Sequence, residues 1–474
     1  MPFKDSFIYI LSKLFPSGLA FATGIGLSWL LSPADYGVYG YGMAVAMVIG
    51  TVGFDWLGLS YLRFKPKHGG EASFTPTVAA VFFGLCGASL LLMAIIAATM
   101  SAERAVLLMV CTAGAWAYAY FEMAGRTAVG DFKSMRYFWM NLARNAGLLA
   151  AGLGLAWAFQ SPLLVLAGGF AAMLVSGLMF WRAPVRFSSF DPALARQLFK
   201  YGMPMMATMA LYSVLTNVNR LLLEGLSSTV EVGYFTAAAT LAANTISVLA
   251  NGVGTATYSA AVRLVERGET ATLRDQMKRN AILLTGLLLP ATVGFSMLAG
   301  PIAELCLSHE YELHVTAMLP WIAVGSAIQA FRSNYIDFGF QLGNRTGLQV
   351  WSYAAPAAVN VALNVALIPS LGGLGSAMAM TAAHVLALGL SVVMVRRAFH
   401  IPYPLAEMGK ATGATAIMAA AIWPLMHAHG PLLLMAAVIL GIAAFATGAV
   451  IFNLLDCRSR LAARLACLIK RGKP

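Results

Sequence analysis

Two long apolar runs lie almost end to end in the stretch PTVAAVFFGLCGASLLLMAIIAATM, SAE, RAVLLMVCTAGAWAYAYFEMA (residues 76–124). The first run covers 76–100 and the second 104–124, and a helix of about 20 residues crosses a hydrocarbon layer of roughly 30 Å. Lipid offers no partner for backbone N–H and C=O groups, so only helices and closed barrels span it, and barrel strands alternate over roughly 10 residues. The stretch therefore predicts two membrane-spanning helices joined by a short turn.

The same pattern continues along the whole chain. Of its 474 residues, 59% are hydrophobic and 11% are charged, whereas soluble proteins carry about 25% charged residues. This composition excludes a cytosolic enzyme and a nucleic-acid-binding module. We predict an all-α polytopic membrane protein with about fourteen transmembrane helices, at residues 7–31, 37–61, 76–100, 104–124, 137–159, 162–181, 201–224, 233–259, 281–307, 315–340, 348–369, 373–395, 405–427 and 431–454.

Basic residues are concentrated in alternate loops. The chain has 31 Lys and Arg against 19 Asp and Glu, and the loops of one side contain Arg104 as their single basic residue. Cytoplasmic loops of membrane proteins carry the excess of Lys and Arg, so we predict that both termini are cytoplasmic. The basic loop residues are Arg63, Lys65, Lys67, Arg126, Lys133, Arg136, Arg182, Arg186, Arg196, Lys200, Arg263, Arg267, Arg274, Lys278, Arg279, Arg345, Arg396 and Arg397.

A weak internal repeat divides the chain. The segments SPADYGVY (32–39) and STVEVGYF (228–235) are related by one offset of 196 residues, and each lies between the first and second helix of a group. Two copies with the same orientation are expected for halves related about the membrane normal. We therefore predict two pseudo-symmetric six-helix lobes plus two extra C-terminal helices. The predicted domains are an N-lobe at 1–199, a C-lobe at 200–397, the extra helix pair at 398–455 and a basic cytoplasmic tail at 456–474.

Charged residues also occur inside the apolar runs. A cation at a helix centre costs about 2.5–3.5 kcal/mol on insertion scales, so each needs compensation. The cations are Lys13, Arg144, Arg220 and Arg332, and the acids in the same runs are Asp55, Glu122 and Asp337.

Local explanations remain open for most of these charges. They are an ion pair between Glu122 and Arg126, an ion pair between Arg220 and Glu224, snorkelling of Lys13 and Arg144 to the interface, and an ion pair between Arg144 and Asp55. Arg332 and Asp337 are five residues apart, about 140° around an α-helix, so we predict that they do not pair within it. As a set, the cations favour a polar cavity between the two lobes that receives an anionic substrate.

Buried amides extend this interpretation. Asn217 and Asn219 lie in the seventh run, Asn334 lies in the tenth, and Asn360 and Asn364 lie in the eleventh. Interhelical hydrogen bonding would explain any one of them equally well. The five cysteines include no CxxC pair and the chain has no GxxxxGK[ST] motif, so we expect no catalytic residue, metal or cofactor.

Three segments carry a resemblance to a known family: LLSPADYGVYGYGMAV (30–45), NRLLLEGLSSTVEVGYFTAAATLA (219–242) and NVALNVALIPSLGGLGSAMA (360–379). In order and spacing they resemble the Wzx-type oligosaccharide flippases of the multidrug/oligosaccharidyl-lipid/polysaccharide (MOP) exporter superfamily. The family's helix 7 motif commonly has Asp before its Arg, whereas here Asn219 precedes Arg220.

The resemblance implies translocation of undecaprenyl-pyrophosphate-linked oligosaccharide repeat units from the cytoplasmic to the outer leaflet of a bacterial inner membrane. It implies alternating access around a cationic cavity, for lipopolysaccharide or exopolysaccharide biosynthesis, with membrane lipids and a polysaccharide polymerase as partners. Nucleic acid is not an expected partner.

Site roles follow from the residues and the resemblance together. Guanidinium and ammonium groups suit phosphate oxygens, so we expect Lys13, Arg144, Arg220 and Arg332 to bind the pyrophosphate. Asn217, Asn219, Asn334 and Asn360 are expected to contact sugars, and Asp55 and Asp337 are candidates for a coupling proton or sodium ion. The alternatives are a multidrug exporter of the same superfamily and a membrane polysaccharide polymerase or ligase.

Overall fold

The computed structural model describes residues 3–131, 133–181, 189–343, 345–427 and 429–454. These residues are almost entirely helical, as predicted. The helices are α1 (Phe3–Leu30), α2 (Pro33–His68), α3 (Phe74–Ala97), α4 (Ala102–Gly130), α5 (Ser134–Phe159), α6 (Pro162–Phe180), α7 (Pro192–Leu226), α8 (Thr229–Glu266), α9 (Thr270–Met297), α10 (Ala299–Cys306), α11 (His309–Phe331), a π-helical segment (Arg332–Ile336), α12 (Phe338–Leu342), α13 (Thr346–Val395), α14 (Leu405–Ile422), a 3₁₀ turn (Trp423–Leu425) and α15 (Pro431–Ile451).

The predicted apolar runs all fall on helices. Within the described residues, 10 helical segments are long and apolar enough to cross a membrane, and one of them, Gly347–Val395, contains two predicted runs. The run predicted at 281–307 is divided between α9 and α10, and the run at 315–340 is divided by the π-helical segment. The prediction of an all-α multi-pass membrane protein is therefore confirmed, and the predicted count of about fourteen spans is compatible with this arrangement.

The chain packs into two compact units. The first comprises Met1–Ala237 with Tyr353–Ala379, and the second comprises Ala238–Ser352 with Met380–Pro474. The boundaries of these two units differ from those of the lobes and the helix pair predicted from the repeat. The predicted lobes and helix pair stay a prediction. The predicted basic tail lies outside the described residues.

The first unit is organised around α2. Aromatic side chains of this helix, including Trp56 and Tyr61, form a buried cluster with residues of α3, α4 and α7. The Ser60 hydroxyl donates to the carbonyl oxygen of Leu198 at 3.2 Å, which ties α2 to α7. Lipid tails are as apolar as these side chains, so inside a membrane the cluster holds the helices together by close van der Waals packing.

The second unit is held partly by a cluster on the C-terminal helices. Met418 and Ile422 of α14 pack against Leu434 and Ala437 of α15, and Leu298 joins them from the α9–α10 break. The extra C-terminal helices therefore pack with α9 inside this unit.

A sharp kink divides α13 at Gly372. Its backbone has φ 54° and ψ −134°, a conformation that is almost confined to glycine. The N–H of the next residue, Gly373, donates to the Glu231 carboxylate at 2.6 Å. A Cβ atom at Gly372 would lie 2.9 Å from that same carboxylate. Both the backbone conformation and the close approach therefore require glycine here.

We expect Gly372→Ala to lower the stability of the protein by about 1–3 kcal/mol, because alanine is strained in this backbone region. Gly389→Ala is the matched control, since Gly389 lies in the same helix with open space around it. Thermal unfolding of both variants in detergent measures the effect. Equal melting temperatures for the two variants would contradict the role assigned to the kink.

Candidate functional site

The starts of α2 and α8 cross at very short range in the first unit. A Cβ atom at Gly37 would overlap the carbonyl oxygen of Thr229, and a Cβ atom at Gly233 would overlap the carbonyl oxygen of Pro33. Only glycine lets two helix backbones approach this closely. The two repeat segments identified in the sequence are thus in direct contact.

The contact is reciprocal. The offset of 196 residues relates Pro33 to Thr229 and Gly37 to Gly233. Gly37 contacts Thr229, and the equivalent residues Gly233 and Pro33 make the same contact in the opposite direction. A Cβ atom at Gly40 would overlap the hydroxyl of Thr236. Gly40 and Thr236 are themselves related by the offset of 196 residues. Such exchange is the signature of a two-fold-related interface. We call this region, from Pro33 to Gly40 and from Thr229 to Thr236, the motif junction.

The third sequence segment contacts the second through buried amides. Asn219, Asn360 and Asn364 are 0% exposed. The Asn364 amide donates to Asn219 Oδ1 at 2.9 Å and to the Asn360 carbonyl oxygen at 2.8 Å. The Ser376 hydroxyl donates to Asn364 Oδ1 at 2.7 Å. Interhelical hydrogen bonding, one of the two explanations left open by the sequence, accounts for the contact of Asn219 with Asn364, whereas the contact of Asn360 with Asn364 lies within α13. The role of Asn219 and Asn360 as sugar contacts stays a prediction.

Arg220 lies beside the motif junction without a carboxylate partner among the described residues. Its Nε donates to the Thr236 hydroxyl at 3.2 Å, and its guanidinium lies 5.7 Å from the ring centroid of Phe235. Glu224, the acid considered from the sequence, instead accepts a hydrogen bond from the Thr229 hydroxyl at 3.1 Å. The Arg220–Glu224 ion pair is therefore not formed. Asn217, one turn earlier, donates to the Thr216 hydroxyl at 3.1 Å.

The contacts of Arg126 differ from two further expectations. Its Nη2 lies 2.7 Å from Asp55 Oδ1 on α2, and its Nη1 donates to the Asp55 carbonyl oxygen at 2.8 Å. The ion pairs considered for Glu122 with Arg126 and for Arg144 with Asp55 are thus replaced by one pair between helices. The reason is steric, because Gly58 leaves room on α2 for the Arg126 side chain.

Arg144 is instead placed over an aromatic ring. Its guanidinium lies 4.8 Å from the ring centroid of Phe121. Phe121 and Glu122 also line a cavity of about 120 Å³ together with Arg126 and Tyr137. A cation over an aromatic face is attracted by the ring quadrupole, by about 0.5–2 kcal/mol. Arg144 and Arg220 thus share one mode of stabilisation, a ring rather than an acid.

The second unit contains a buried ion pair between Arg332 and Asp337, contrary to the prediction from the sequence. Arg332 Nε lies 3.8 Å from Asp337 Oδ2, and the two side chains are 1% and 3% exposed. The Asp337 N–H donates to the Arg332 carbonyl oxygen at 2.9 Å, which is the i→i+5 bond of a π-helix. This wider turn brings residues five apart onto one face. The prediction that they do not pair is wrong because it assumed α-helical geometry.

Polar groups from several helices surround this pair. Arg332 Nη1 donates to the Ser352 carbonyl oxygen at 3.2 Å, and the Ser391 hydroxyl donates to Asp337 Oδ1 at 3.3 Å. The Asn280 amide donates to the carbonyl oxygen of Asn334 at 3.1 Å. Asn280 and Ser391 were not singled out in the sequence, and single polar residues in apolar runs give no signal strong enough to find them.

The predicted site residues are therefore distributed over both units. Asp55, Arg144, Asn217, Asn219, Arg220 and Asn360 lie in the first unit, and Arg332, Asn334 and Asp337 lie in the second. Lys13 lies outside the residues whose side chains the structure describes. The predicted cavity between the lobes, and the roles of these residues in it, stay predictions.

We expect Arg332→Met and Asp337→Leu to destabilise the protein by about 3–5 kcal/mol each, because either change removes the ion pair and leaves the other charge buried. The double variant is expected to be much closer to the wild type, since it removes both charges. Melting temperatures of the three variants in detergent measure this coupling. The assignment of a buried ion pair would be contradicted if the melting temperature of the double variant were no higher than that of the less stable single variant.

Comparison with known proteins adds the family. A family model described as "Polysaccharide biosynthesis protein" matches residues 3–263, which is more than half of the chain. A search of curated proteins found no match to this chain.

Several solved structures share the fold at low sequence identity. The lipid II flippase MurJ in an inward closed conformation has a TM-score of 0.78 at 14% identity, covering 94% of this chain and 99% of its own. An inward-facing multidrug resistance transporter of the MATE family in the MOP superfamily has a TM-score of 0.61 at 15% identity, covering 82% of this chain and 97% of its own. A MOP superfamily transporter from Pyrococcus furiosus has a TM-score of 0.55 at 14% identity, covering 83% of this chain and 94% of its own.

These matches confirm the resemblance predicted from the three sequence segments. The fold is shared along nearly the whole chain, including both compact units. The chain belongs to the polysaccharide biosynthesis protein family and has the fold of the MOP exporter superfamily.

Proposed function

We propose that this protein is a flippase for undecaprenyl-pyrophosphate-linked oligosaccharide repeat units. It moves them from the cytoplasmic to the periplasmic leaflet of a bacterial inner membrane by alternating access, for lipopolysaccharide or exopolysaccharide biosynthesis. The observation that carries the proposal is Arg220, an arginine inside one of the apolar runs predicted to span the membrane, whose described contacts are a hydroxyl and an aromatic ring. The family and the fold support a transporter that acts on a polysaccharide precursor.

The energetics of Arg220 favour an anionic ligand. A cation at a helix centre costs about 2.5–3.5 kcal/mol, while a cation–π contact offsets about 0.5–2 kcal/mol of this. A neutral hydrogen-bond acceptor adds only part of the difference. A pyrophosphate would supply the missing negative charge, and its oxygens match the planar fork of a guanidinium.

The intramembrane arginines differ in how readily they would bind such a group. Arg144 and Arg220 lie against Phe121 and Phe235, so a phosphate would not have to displace a carboxylate. Arg332 is paired with Asp337, so it must first exchange this partner. We therefore assign the primary contacts to Arg144 and Arg220 and a conditional contact to Arg332, with Lys13 as a further proposed contact.

The acid partners provide a route for ion coupling. Asp55 is paired with Arg126, and Asp337 is paired with Arg332. A proton or a sodium ion bound at either carboxylate would weaken its ion pair and release the arginine. In this proposal, binding of the coupling ion makes Arg332 available to phosphate. These same pairings make Asp55 and Asp337 unavailable to a cationic drug.

The proposed orientation places the basic loops in the cytoplasm, which follows from their excess of Lys and Arg. The lipid-linked substrate then enters from the leaflet where it is built. A polysaccharide polymerase would receive it on the opposite side, and we propose this enzyme as a functional partner.

We expect Arg220→Gln and Arg144→Gln to reduce export of the polysaccharide roughly 10- to 100-fold, because each removes a charged hydrogen bond to phosphate. Arg104→Gln is the matched control, since Arg104 is an exposed arginine in the first turn of α4, at the end predicted to face away from the cytoplasm. The measurement is surface polysaccharide in a strain that lacks the native gene, at equal levels of membrane-inserted protein.

Two outcomes would overturn the proposal. If Arg220→Gln and Arg144→Gln both export as well as Arg104→Gln, these arginines do not bind the substrate phosphate. If the wild-type protein raises drug resistance in an exporter-deficient host and does not restore surface polysaccharide, the multidrug alternative is correct.

A further inference from the structure

A cationic pocket lies at the ends of two helices of the second unit. Its volume is about 440 Å³, and its wall includes Arg274 and Lys278 from the first turns of α9, Arg396 from the end of α13, and His400 and Tyr403 from the following loop. All of these residues lie outside the intramembrane site proposed above. We call it the interfacial pocket.

An apolar cavity adjoins the interfacial pocket. It has a volume of about 300 Å³ and shares Arg274, His400 and Pro402 with it. The rest of its wall is mainly apolar, with Leu264, Val265, Leu273, Met277 and Phe399. The two spaces together offer a charged end and an apolar end to one ligand.

Among the residues that the structure describes, the Tyr403 hydroxyl has no hydrogen-bond partner, although it is buried. Buried polar groups are almost always hydrogen-bonded, so this hydroxyl would gain a partner if a ligand oxygen reached it from the pocket that Tyr403 lines. Burial raises the pKa of the Tyr403 phenol, although Arg396 lowers it in part. The hydroxyl therefore stays protonated at neutral pH and can donate to an anionic oxygen.

The loop that carries Tyr403 is fixed on both sides. The Tyr335 hydroxyl of the π-helical segment donates to the Pro402 carbonyl oxygen. The carbonyl oxygen of Tyr403 accepts from the Leu405 N–H at 2.9 Å. The pocket is therefore preorganised, which reduces the entropy lost when a ligand binds.

The positive-inside rule explains part of this charge but not its arrangement. That rule places Lys and Arg at helix ends without requiring them to converge. Arg279 and Arg397 are also basic and close in sequence, yet neither lines the pocket. Asp275 lies 3.6 Å from the Lys278 ammonium and neutralises it in part, so the net positive charge comes mainly from Arg274 and Arg396.

We propose that the interfacial pocket binds the phosphate of an anionic membrane phospholipid. Arg274, Arg396 and the Tyr403 hydroxyl contact the phosphate oxygens, and an acyl chain enters the adjoining apolar cavity. The position at the helix ends matches the depth of lipid headgroups, and the apolar cavity favours a lipid over free phosphate. This site is separate from the proposed transport site, so it stands whether or not the chain is a flippase.

The test is a titration of the purified full-length protein in neutral detergent with phosphatidylglycerol, with phosphatidylcholine and with inorganic phosphate, followed by the melting temperature. We expect phosphatidylglycerol to raise the melting temperature of the wild type. The double variant R274Q/R396Q is expected to bind it at least about tenfold more weakly, because two charged hydrogen bonds are lost. The matched control R279Q/R397Q removes equal charge outside the pocket and is expected to stay within about twofold of the wild type.

A second variant covers the case in which R274Q/R396Q does not fold. Tyr403→Phe removes only the orphan hydroxyl, and we expect it to weaken phosphatidylglycerol binding about threefold while the melting temperature without lipid does not fall. The proposal is overturned if phosphatidylcholine stabilises the wild type equally, if inorganic phosphate alone reproduces the effect, or if R279Q/R397Q loses as much affinity as R274Q/R396Q. It is also overturned if Tyr403→Phe binds phosphatidylglycerol as tightly as the wild type.

Discussion

A positive charge inside a hydrocarbon layer has to be compensated by the protein itself, because lipid neither solvates ions nor forms hydrogen bonds. The structure meets this requirement in two ways. Arg126 and Arg332 are each paired with an aspartate, whereas Arg144 and Arg220 lie over phenylalanine rings. The first arrangement is complete in the absence of a substrate. The second leaves the cation partly uncompensated, and that difference is what separates a structural arginine from a candidate binding residue.

The motif junction shows why the family's sequence segments lie where they do. Gly37 and Gly233 permit the reciprocal crossing of α2 and α8, and this crossing positions Thr236 to accept the hydrogen bond from Arg220. Glu231, in the first turn of α8, accepts a hydrogen bond from the Gly373 N–H at the kink of α13. Small residues, a cation and an acid that appear unrelated in the sequence thus support one another in a single region.

Much of this architecture could be predicted from the sequence, because the length of an apolar run is a direct physical requirement of the bilayer. The run at 104–124, for example, lies within α4. Pairings were harder to predict. The rule that joins Glu122 to Arg126 considers one helix at a time, and it could not anticipate that Gly58 opens a path to Asp55 on another. Likewise, the repeat related Gly37 to Gly233 but contained no information that the two copies touch.

The π-helical segment at Arg332–Ile336 has a consequence beyond the pairing of two side chains. A turn with one additional residue rotates everything that follows by roughly 100° relative to a regular α-helix. The downstream part therefore presents a different face to its neighbours, and the Tyr335 hydroxyl reaches Pro402 in this setting. If the π-helical turn moved along the helix or was lost, the residues after it would rotate about the helix axis. The buried ion pair and the loop at Pro402 would then move together without unfolding.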